Sequence, residues 1–547
     1  MAETLRERCD RRLKGMQAQR EWYESEWKQI AKLALPSRAR FLDRQPSRKR
    51  PGPLLDEHGI HAFRTLTAGM TSGLSSPSRP WFTLAAPEEM MEDYAVRAWL
   101  SDVEQRMYAF LARTNFYGAV KEGYAELGGF GVEACVMDEH DVHGAVCHQL
   151  AIGQYWIAAD EALQVDTLYR SAPMTVRQAV HRFGTSVSIR VRERYDRGDY
   201  EEAVKVFHAI EPRRDRDPRS AHARDMPWGS TYWDEQDDRR TVLSESGYPE
   251  QPFWAPRWAT IGADPWGSDS PGSVALSSLR ELQLQAKRRN EAIDFLIKPE
   301  RLAKAGIELT GQPGNVVTVP NAVEKAVQVP YLMPYQGVQA IGEQLSACRE
   351  SIDRASFADL FLAITNMNGI QPRNVEEIAS RNEEKLTQLG PVIERVNGEK
   401  LAVAIDRAFG IMLRMNLLPE PPQELQGERI DPSFVSILTQ MQRMVGIGQI
   451  ERTAGFIGNL AGVFPDAVDK LDVDEMIDDY AARAGVPAKL IRTTEMVKAI
   501  RDARAQQQQA TAAAEAMPAV QQGADAARLL SETDIGGASL LDRLMPA

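Results

Sequence analysis

The stretch VALSSLRELQLQAKRRNEAIDFLIK, residues 274–298, and its counterpart QGVQAIGEQLSACRESIDRA, residues 336–355, decide how this chain is read. In the first, Leu279, Leu282, Ala286, Arg289, Ile293 and Leu296 recur at intervals of 3, 4, 3, 4 and 3 residues. Val338, Ile341, Leu345, Cys348, Ile352 and Ala355 repeat that spacing in the second, and Arg289 is the polar exception among the twelve. A 3.5-residue period marks long helices that pack nearly aligned with a neighbour. Two ordinary core helices of a monomer would carry the same spacing. Between them, from about Lys298 to Pro334, Pro and Val punctuate an extended interlude.

Working towards the N-terminus, residues 248–273 are dense in Pro, Gly and Trp (Trp254, Trp258, Trp266), and 211–235 in Arg, Asp and Pro with scattered aromatics. Together they read as a boundary. Before it the pattern is mixed. The runs Glu133–Met137 and Ala145–Ile152 flank a polar turn and predict a hairpin. Trp99, Leu100, Val103, Met107, Leu111 and Ala112 place one helix over about Tyr94–Leu127, and another covers about Gly59–Leu74. The first 35 residues predict a helix ending at Pro36, since proline disfavours helix in the residue before it. The six Arg and Lys residues of Arg38–Arg50, set among prolines, suggest an exposed connector, with a nucleic-acid contact as the alternative.

Towards the C-terminus, Thr365–Arg373 is a short polar loop with Gly369 and Pro372. Asn374 with Glu377 forms a capping-box-like start to a long helix that restarts or kinks at Gly390–Pro391 and continues to Leu418. After a Pro-containing linker, 419–429, shorter helices run to about Arg504, and an Ala/Gln-rich tract follows over 505–526. The fold class is α+β, predominantly α-helical.

At 547 residues the chain can form roughly three to four core units. With 65 basic and 77 acidic side chains its net charge is -12, the wrong sign for a surface that grips nucleic acid throughout, so any DNA contact is local. Four widely spaced cysteines (Cys9, Cys135, Cys147, Cys348) fit free thiols in a reducing cytoplasm. The N-terminus carries charge where an export signal would be apolar, and Asp406, Arg407 and Arg414 interrupt the apolar window Leu401–Leu418, so neither secretion nor a membrane span is expected.

No phosphate-binding Gly-rich loop ending in Gly-Lys-Ser/Thr occurs, which argues against a motor ATPase, and His-Glu-x-x-His and Gly-x-Ser-x-Gly are missing as well. Cys135, Asp138, Glu139, His140, Asp141, His143, Cys147 and His148 crowd into fourteen residues. Their irregular spacing on a hairpin turn favours a solvated turn with buried strand cysteines over zinc. No metal, cofactor or catalytic residue is expected. Lys287, Arg288 and Arg289, continued by Lys298, Arg301 and Lys304, form a basic group whose consecutive positions spread around a helix. Salt bridges between subunits and transient phosphate contact both fit it.

Several stretches, in one order, resemble the portal or head-to-tail connecting proteins of short-tailed double-stranded DNA bacteriophages. They are Trp27–Pro36 with Arg38–Phe41, then Ala68-Gly69-Met70-Thr71-Ser72-Gly73-Leu74-Ser75-Ser76-Pro77-Ser78-Arg79-Pro80-Trp81-Phe82, then Gly128–Gly131 with Cys135. Gly153-Gln154-Tyr155 through Arg170 and Pro252–Trp258 with Gly262–Ser270 follow, although the family's Tyr-Gly-Arg is here Pro265-Trp266-Gly267-Ser268. The resemblance covers about Trp22 to Leu418. It implies the portal fold: wing over 1–273, first stem helix 274–298, clip 299–335, second stem helix 336–363, tunnel loop 364–373, long wing helix and linker 374–428, and a helical crown with its tail over 429–547.

The same resemblance implies a non-enzymatic ring of twelve copies at one capsid vertex of the virion, assembled in the host cytoplasm. Its implied partners are the major capsid protein, the terminase large subunit, a tail adaptor, scaffolding and internal core proteins, and non-specific double-stranded DNA, with no membrane. In that setting Asn366, Asn368, Gln371 and Arg373 would touch DNA from the tunnel loop, and Lys287, Arg288, Arg289 and Lys298 would form a basic channel band. Leu279, Leu282, Ile293, Leu296, Val338, Ile341, Leu345 and Ile352 would pack stems of neighbouring subunits, explaining a bundle period without an intramolecular partner of equal length. A ring of acidic subunits repels DNA between a few basic bands and so favours sliding over tight binding. The rival readings are an internal scaffolding or ejection protein, and a hydrolase using carboxylates such as Asp353 and Asp359.

Overall fold

The computed structural model describes residues 3–38, 54–91, 93–220, 222–235, 237, 241–299, 302–303, 327–328, 334–365, 383–425, 430–435, 447–462, 464, 470–484, 492 and 496–508. The chain divides into two compact units, 1–445 and 446–547.

In the first unit, α1 (Leu5–Leu33) opens on a capping box at Thr4 and Glu7. Its buried face includes two arginines. Arg6 donates to the Asp234 carbonyl at 2.8 Å, and Arg20 to those of Gly153 and Tyr155 at 3.0 and 2.9 Å. Trp22 on the same helix is 87% exposed. Then come α2 (His58–Leu74), strand β1 (Phe82–Ala85), a single turn α3 (Glu88–Met91), α4 (Tyr94–Arg113) and α5 (Phe116–Phe130). The one helix expected over 94–127 is therefore two. The break falls where the Asn115 side chain turns away to pair with the Cys147 backbone, donating to its carbonyl and accepting from its N–H, both at 2.8 Å.

Strands β2 (Ala134–His140) and β3 (Gly144–Leu150) form the expected antiparallel hairpin, with Cys135 opposite Gln149 and Met137 opposite Cys147. A five-stranded antiparallel sheet follows, built in order from β4 (Tyr155–Ala159), β5 (Val165–Thr175), β6 (Ala203–Pro212), β7 (Trp228–Asp234) and β8 (Ser244–Tyr248), with α6 (Val176–Phe183) and α7 (Ile189–Arg197) inserted after β5. β9 (Phe253–Trp254) adds to the free edge of β2. The segments 211–235 and 248–273, read as a boundary from composition, contain β7 and β9, and their Trp233, Trp254 and Trp266 are fully buried in the core.

Next come α8 (Pro271–Ile297), the short pair β10 (Leu302–Ala303) and β11 (Val327–Gln328), α9 (Tyr335–Ala355) and α10 (Ala358–Thr365). The next described helix, α11 (Glu383–Val396), passes through Gly390–Pro391 without stopping. The interruption lies instead in a π-helical stretch, Asn397–Ala402, before α12 (Val403–Arg414). The expected cap at Asn374 lies outside the described residues. β12 (Asp431–Phe434) pairs antiparallel with β1, Phe434 opposite Phe82, a strand that nothing in the local pattern suggests.

The π-helical stretch has a specific occupant. Lys400, fully buried, places its ammonium 2.5 Å from the buried Glu133 carboxylate and 3.8 Å from the Tyr124 ring centre. Burial pushes the Glu133 carboxyl up and the Lys400 ammonium down, and each charge restrains the other's shift. Lys400 and Leu401 are the buried residues of this wider turn. Glu399 reaches Arg257 at 2.7 Å, and Arg407, buried, reaches Glu250 at 2.5 Å and the Met137 carbonyl at 3.1 Å.

The C-terminal end of α5 is the packing centre. Gly131 closes the helix in the left-handed conformation (φ 81°). A Cβ on Gly272 would lie 1.9 Å from the Gly129 carbonyl oxygen, and one on Gly267 would lie 1.8 Å from that of Gly131. Here the Ser270 hydroxyl also donates to Gly129, the Trp258 N–H to Gly131 and the Trp27 indole to Phe130, at 3.1, 2.8 and 3.1 Å. Gly272→Ala should lower the melting temperature sharply, since the backbones must part to admit a methyl. Gly342→Ala, in open space on α9, should raise it, by about 0.5–1 kcal/mol of helix propensity. Thermal unfolding of the two variants checks the contrast.

Glu126, buried beside this centre, accepts from the Ile152 N–H at 3.0 Å, with Arg38 3.6 Å from its other oxygen. Burial lifts its carboxyl from the ordinary 4.5 to about 8, against the pull of Arg38 and the Ile152 N–H. The folded state thus holds this proton more tightly than the unfolded chain. The stabilisation is complete below pH 4.5 and lost as pH rises through about 8. Glu126→Gln should flatten the decline in melting temperature between pH 5 and pH 9, measured in parallel with the unsubstituted protein.

Candidate nucleic-acid channel site

The two seam helices meet each other. α8 starts at the Ser270 cap with Pro271 in its first turn. It runs antiparallel to α9, with Ser278 facing Ser351 at 3.0 Å and Gln344 donating to Glu281 at 2.8 Å. Leu279, Leu282 and Ala286 on α8 and Leu345, Cys348 and Ile352 on α9 are buried in one cluster. α8, with 27 residues, thus has an intramolecular partner in the shorter α9, with 21. The seam period reflects their own pairing, since antiparallel helices of similar length bury each other's stripe as neighbours in a ring would.

A third element locks the pair at its root. Gln283 donates to the Asp56 carbonyl at 2.6 Å and accepts from the Leu55 N–H at 2.9 Å. Arg349 reaches the Asp56 carboxylate at 2.7 Å, and the His58 ring reaches Asp353 at 2.9 Å. Burial alone would raise the Asp56 carboxyl, but hydrogen bonds from Arg349 and the His58 N–H hold it below the usual carboxylate range. Asp353, the carboxylate a hydrolase reading would use, is thus engaged with His58.

Away from the root the seam opens. Ile293, Leu296, Val338 and Ile341 are only half-buried, and Arg288, Arg289 and Lys298 are exposed. Lys287 pairs with Glu291 at 3.7 Å, both exposed. Leu284, Phe295, Ile297 and Tyr335 also present apolar surface here. The β10–β11 pair brings the two ends of the interlude together, Leu302 opposite Gln328. Arg301 and Lys304 of the basic group, and Asn366, Asn368, Gln371 and Arg373 of the expected loop, lie outside the described residues.

The second seam helix, expected to continue to 363, breaks at Phe357, which takes a left-handed backbone (φ 54°) between α9 and α10. The turn lets α10 lay Leu360 and Phe361 into the core against α2, where Phe361 covers Gly69 so closely that a Cβ there would lie 2.1 Å from the ring. Burying two large side chains offsets a backbone strain of about 1–3 kcal/mol. No Gly or Pro marks this elbow, so local sequence gives no signal for it. Trp258, Asp269, Pro271, Val274, Arg354 and Phe357 surround a cleft of about 400 Å³ beside it.

The hairpin cluster that resembled metal ligands is dispersed among other partners. Asp138 accepts from Tyr248 at 2.8 Å and Arg170 at 3.3 Å. The His140 ring accepts from the Val142 N–H at 3.2 Å, and Cys135 and Cys147 are buried free thiols. No helix among the described residues is long and apolar enough to cross a membrane.

The sequence as a whole matches the bacteriophage head to tail connecting protein family over residues 6–491. The chain belongs to that family. Within it, the chain is 37% identical over 554 residues to the portal protein of Salmonella phage epsilon15, covering 100% of this chain and 99% of that protein. It is 38% identical over 534 residues to the probable portal protein of Bordetella phage BPP-1, covering 95% and 94% respectively. As a head-to-tail connecting protein the chain is placed in a structural class, and the likeness runs through the α8–α9 pair and both units.

The elbow supplies a test of this geometry. Gly69→Ala should displace Phe361 and cost about 1–3 kcal/mol by overpacking. Combined with Phe361→Ala its effect should be clearly less than additive, because the second change removes the atoms the methyl strikes. Chemical denaturation of the two single variants and the double variant measures the coupling.

Proposed function

We propose that this chain is the portal subunit of a short-tailed phage. Twelve copies form a ring at a capsid vertex that conducts double-stranded DNA during packaging and ejection. Near-complete collinearity with two portal proteins carries the reading. α8 and α9 supply the stem, 299–335 the clip, 364–373 the tunnel loop, 1–273 with 374–428 the wing, and 429–547 the crown. The ring docks on the major capsid protein, binds the terminase large subunit and later a tail adaptor, and meets scaffolding and internal core proteins on its inner side.

Because Leu279, Leu282, Leu345 and Ile352 are buried within the chain, stem contacts between subunits fall to the half-buried Ile293, Leu296, Val338 and Ile341. Lys287, Arg288, Arg289 and Lys298 form a basic band in a wall whose subunits each carry a net charge of -12. Mostly repulsive walls with a few phosphate contacts let DNA slide, since each tight contact adds a salt-sensitive barrier.

Asn366, Asn368, Gln371 and Arg373 project into the bore and touch phosphates. Negative-stain images of the purified protein should show closed rings with a central hole. Removing Asn366–Pro372 should leave those rings intact and impair packaging or retention of DNA. Loss of rings on this deletion overturns the loop assignment, and their absence in the intact protein overturns the portal reading.

A further inference from the structure

The second unit presents an anomaly that the channel does not explain. Its helices among the described residues are α13 (Ile447–Ala461), α14 (Val473–Ala484) and α15 (496–508). Among their described side chains none is buried. Phe456 is 66% exposed, Phe464 63%, Ile477 49% and Met496 53%, with Leu460, Val473 and Ile500 also open. These residues do not lie at random. Phe456 and Leu460 are four apart, as are Val473 and Ile477, and Met496 and Ile500, so each helix places these apolar groups on one face, and Phe464 follows just beyond α13. Nothing lies within 4 Å of where a Cβ would stand on Gly455 or Gly458.

Helices of 15 and 12 residues are marginal in water without tertiary packing. α14 is locally well made, since Asp472 accepts from the Asp474 and Glu475 N–H groups, both at 3.1 Å. What it lacks is something to bury its apolar face.

Charge points to the occupant. α14 carries Asp474, Glu475, Asp478 and Asp479 against Arg483, and α15 carries Lys498, Arg501 and Arg504 against Asp502, so the first is net acidic and the second net basic. Within the chain Arg501 reaches Asp474 at 2.7 Å, so the two helices already recognise each other. Glu475 and Asp478 on one, and Lys498 and Arg504 on the other, remain solvent-exposed. An acidic helix and a basic helix on one chain are a complementary, head-to-tail pair of surfaces, the arrangement that closes into a ring.

We infer that 447–508 completes its fold only by packing against the same unit of a second copy, apolar stripes inward, with the acidic α14 of one copy beside the basic α15 of the next. The inference rests on the proposed ring and adds that assembly, rather than the chain alone, folds this unit.

Hydrogen exchange of the full-length protein tests it, on samples sorted into monomers and rings by mass photometry. Amides of 447–461 and 473–484 should exchange at least tenfold more slowly in rings than in monomers, whereas α5 and the five-stranded sheet should be protected in both. Lys498→Glu with Arg504→Glu should erase the gain in rings, and adding Glu475→Lys with Asp478→Lys should restore it. Equal protection in monomers, rapid exchange in both forms, or failure of the charge swap to restore protection each overturns the inference. Absence of rings at any concentration would instead overturn the portal reading on which it rests.

Discussion

Close backbone approach at the end of α5 is the constraint on which the first unit depends. Gly128 admits the Leu66 side chain, Gly129 admits Leu35 and the start of α8, and Gly131 admits the turn around Gly267. Without a Cβ at these positions α1, the cap of α8 and the Trp-rich segment 253–266 reach within hydrogen-bonding distance of one helix terminus, α2 packs Leu66 against it, and its last carbonyls find partners. The long helix pair is therefore rooted in the α+β body by backbone contact, not by a flexible linker.

Around this centre the chain has placed charge inside and then neutralised it. Lys400 answers Glu133, Arg257 answers Glu399, and Arg407 answers Glu250, each joining the 397–414 region to strands or loops more than a hundred residues away. Removing one partner of such a pair strands the other in a low-dielectric interior, so the pairs fix register as much as they stabilise. On the sheet, Arg170, Asp138, His208 and Tyr232 do the same, with the His208 ring neutralised by burial and by Arg170. The outer half of the α8–α9 pair shows the opposite treatment, its basic and apolar groups left at the surface.

Much of this was legible in the sequence. The 3-4 spacing of 279–296 and 338–355 determined two long helices, the alternation around 134–150 determined a hairpin, and Gly128–Gly131 marked the helix end, because helical and strand periods and left-handed caps are local properties of the chain. The family was readable as well, since it rests on the order of short motifs.

Tertiary structure alone decided which partner each surface took. The seam spacing is identical for helices that pair within one chain or between copies, and only the fold shows Ser278 meeting Ser351. Likewise the elbow at Phe357, the π-helical turn that seats Lys400, the break at Asn115 and the β1–β12 pairing each arise from contacts distant in sequence. In each, burial of a large side chain, a buried charge or an unpaired amide outweighs a local preference of about 1 kcal/mol, and no local pattern records a force that acts across hundreds of residues.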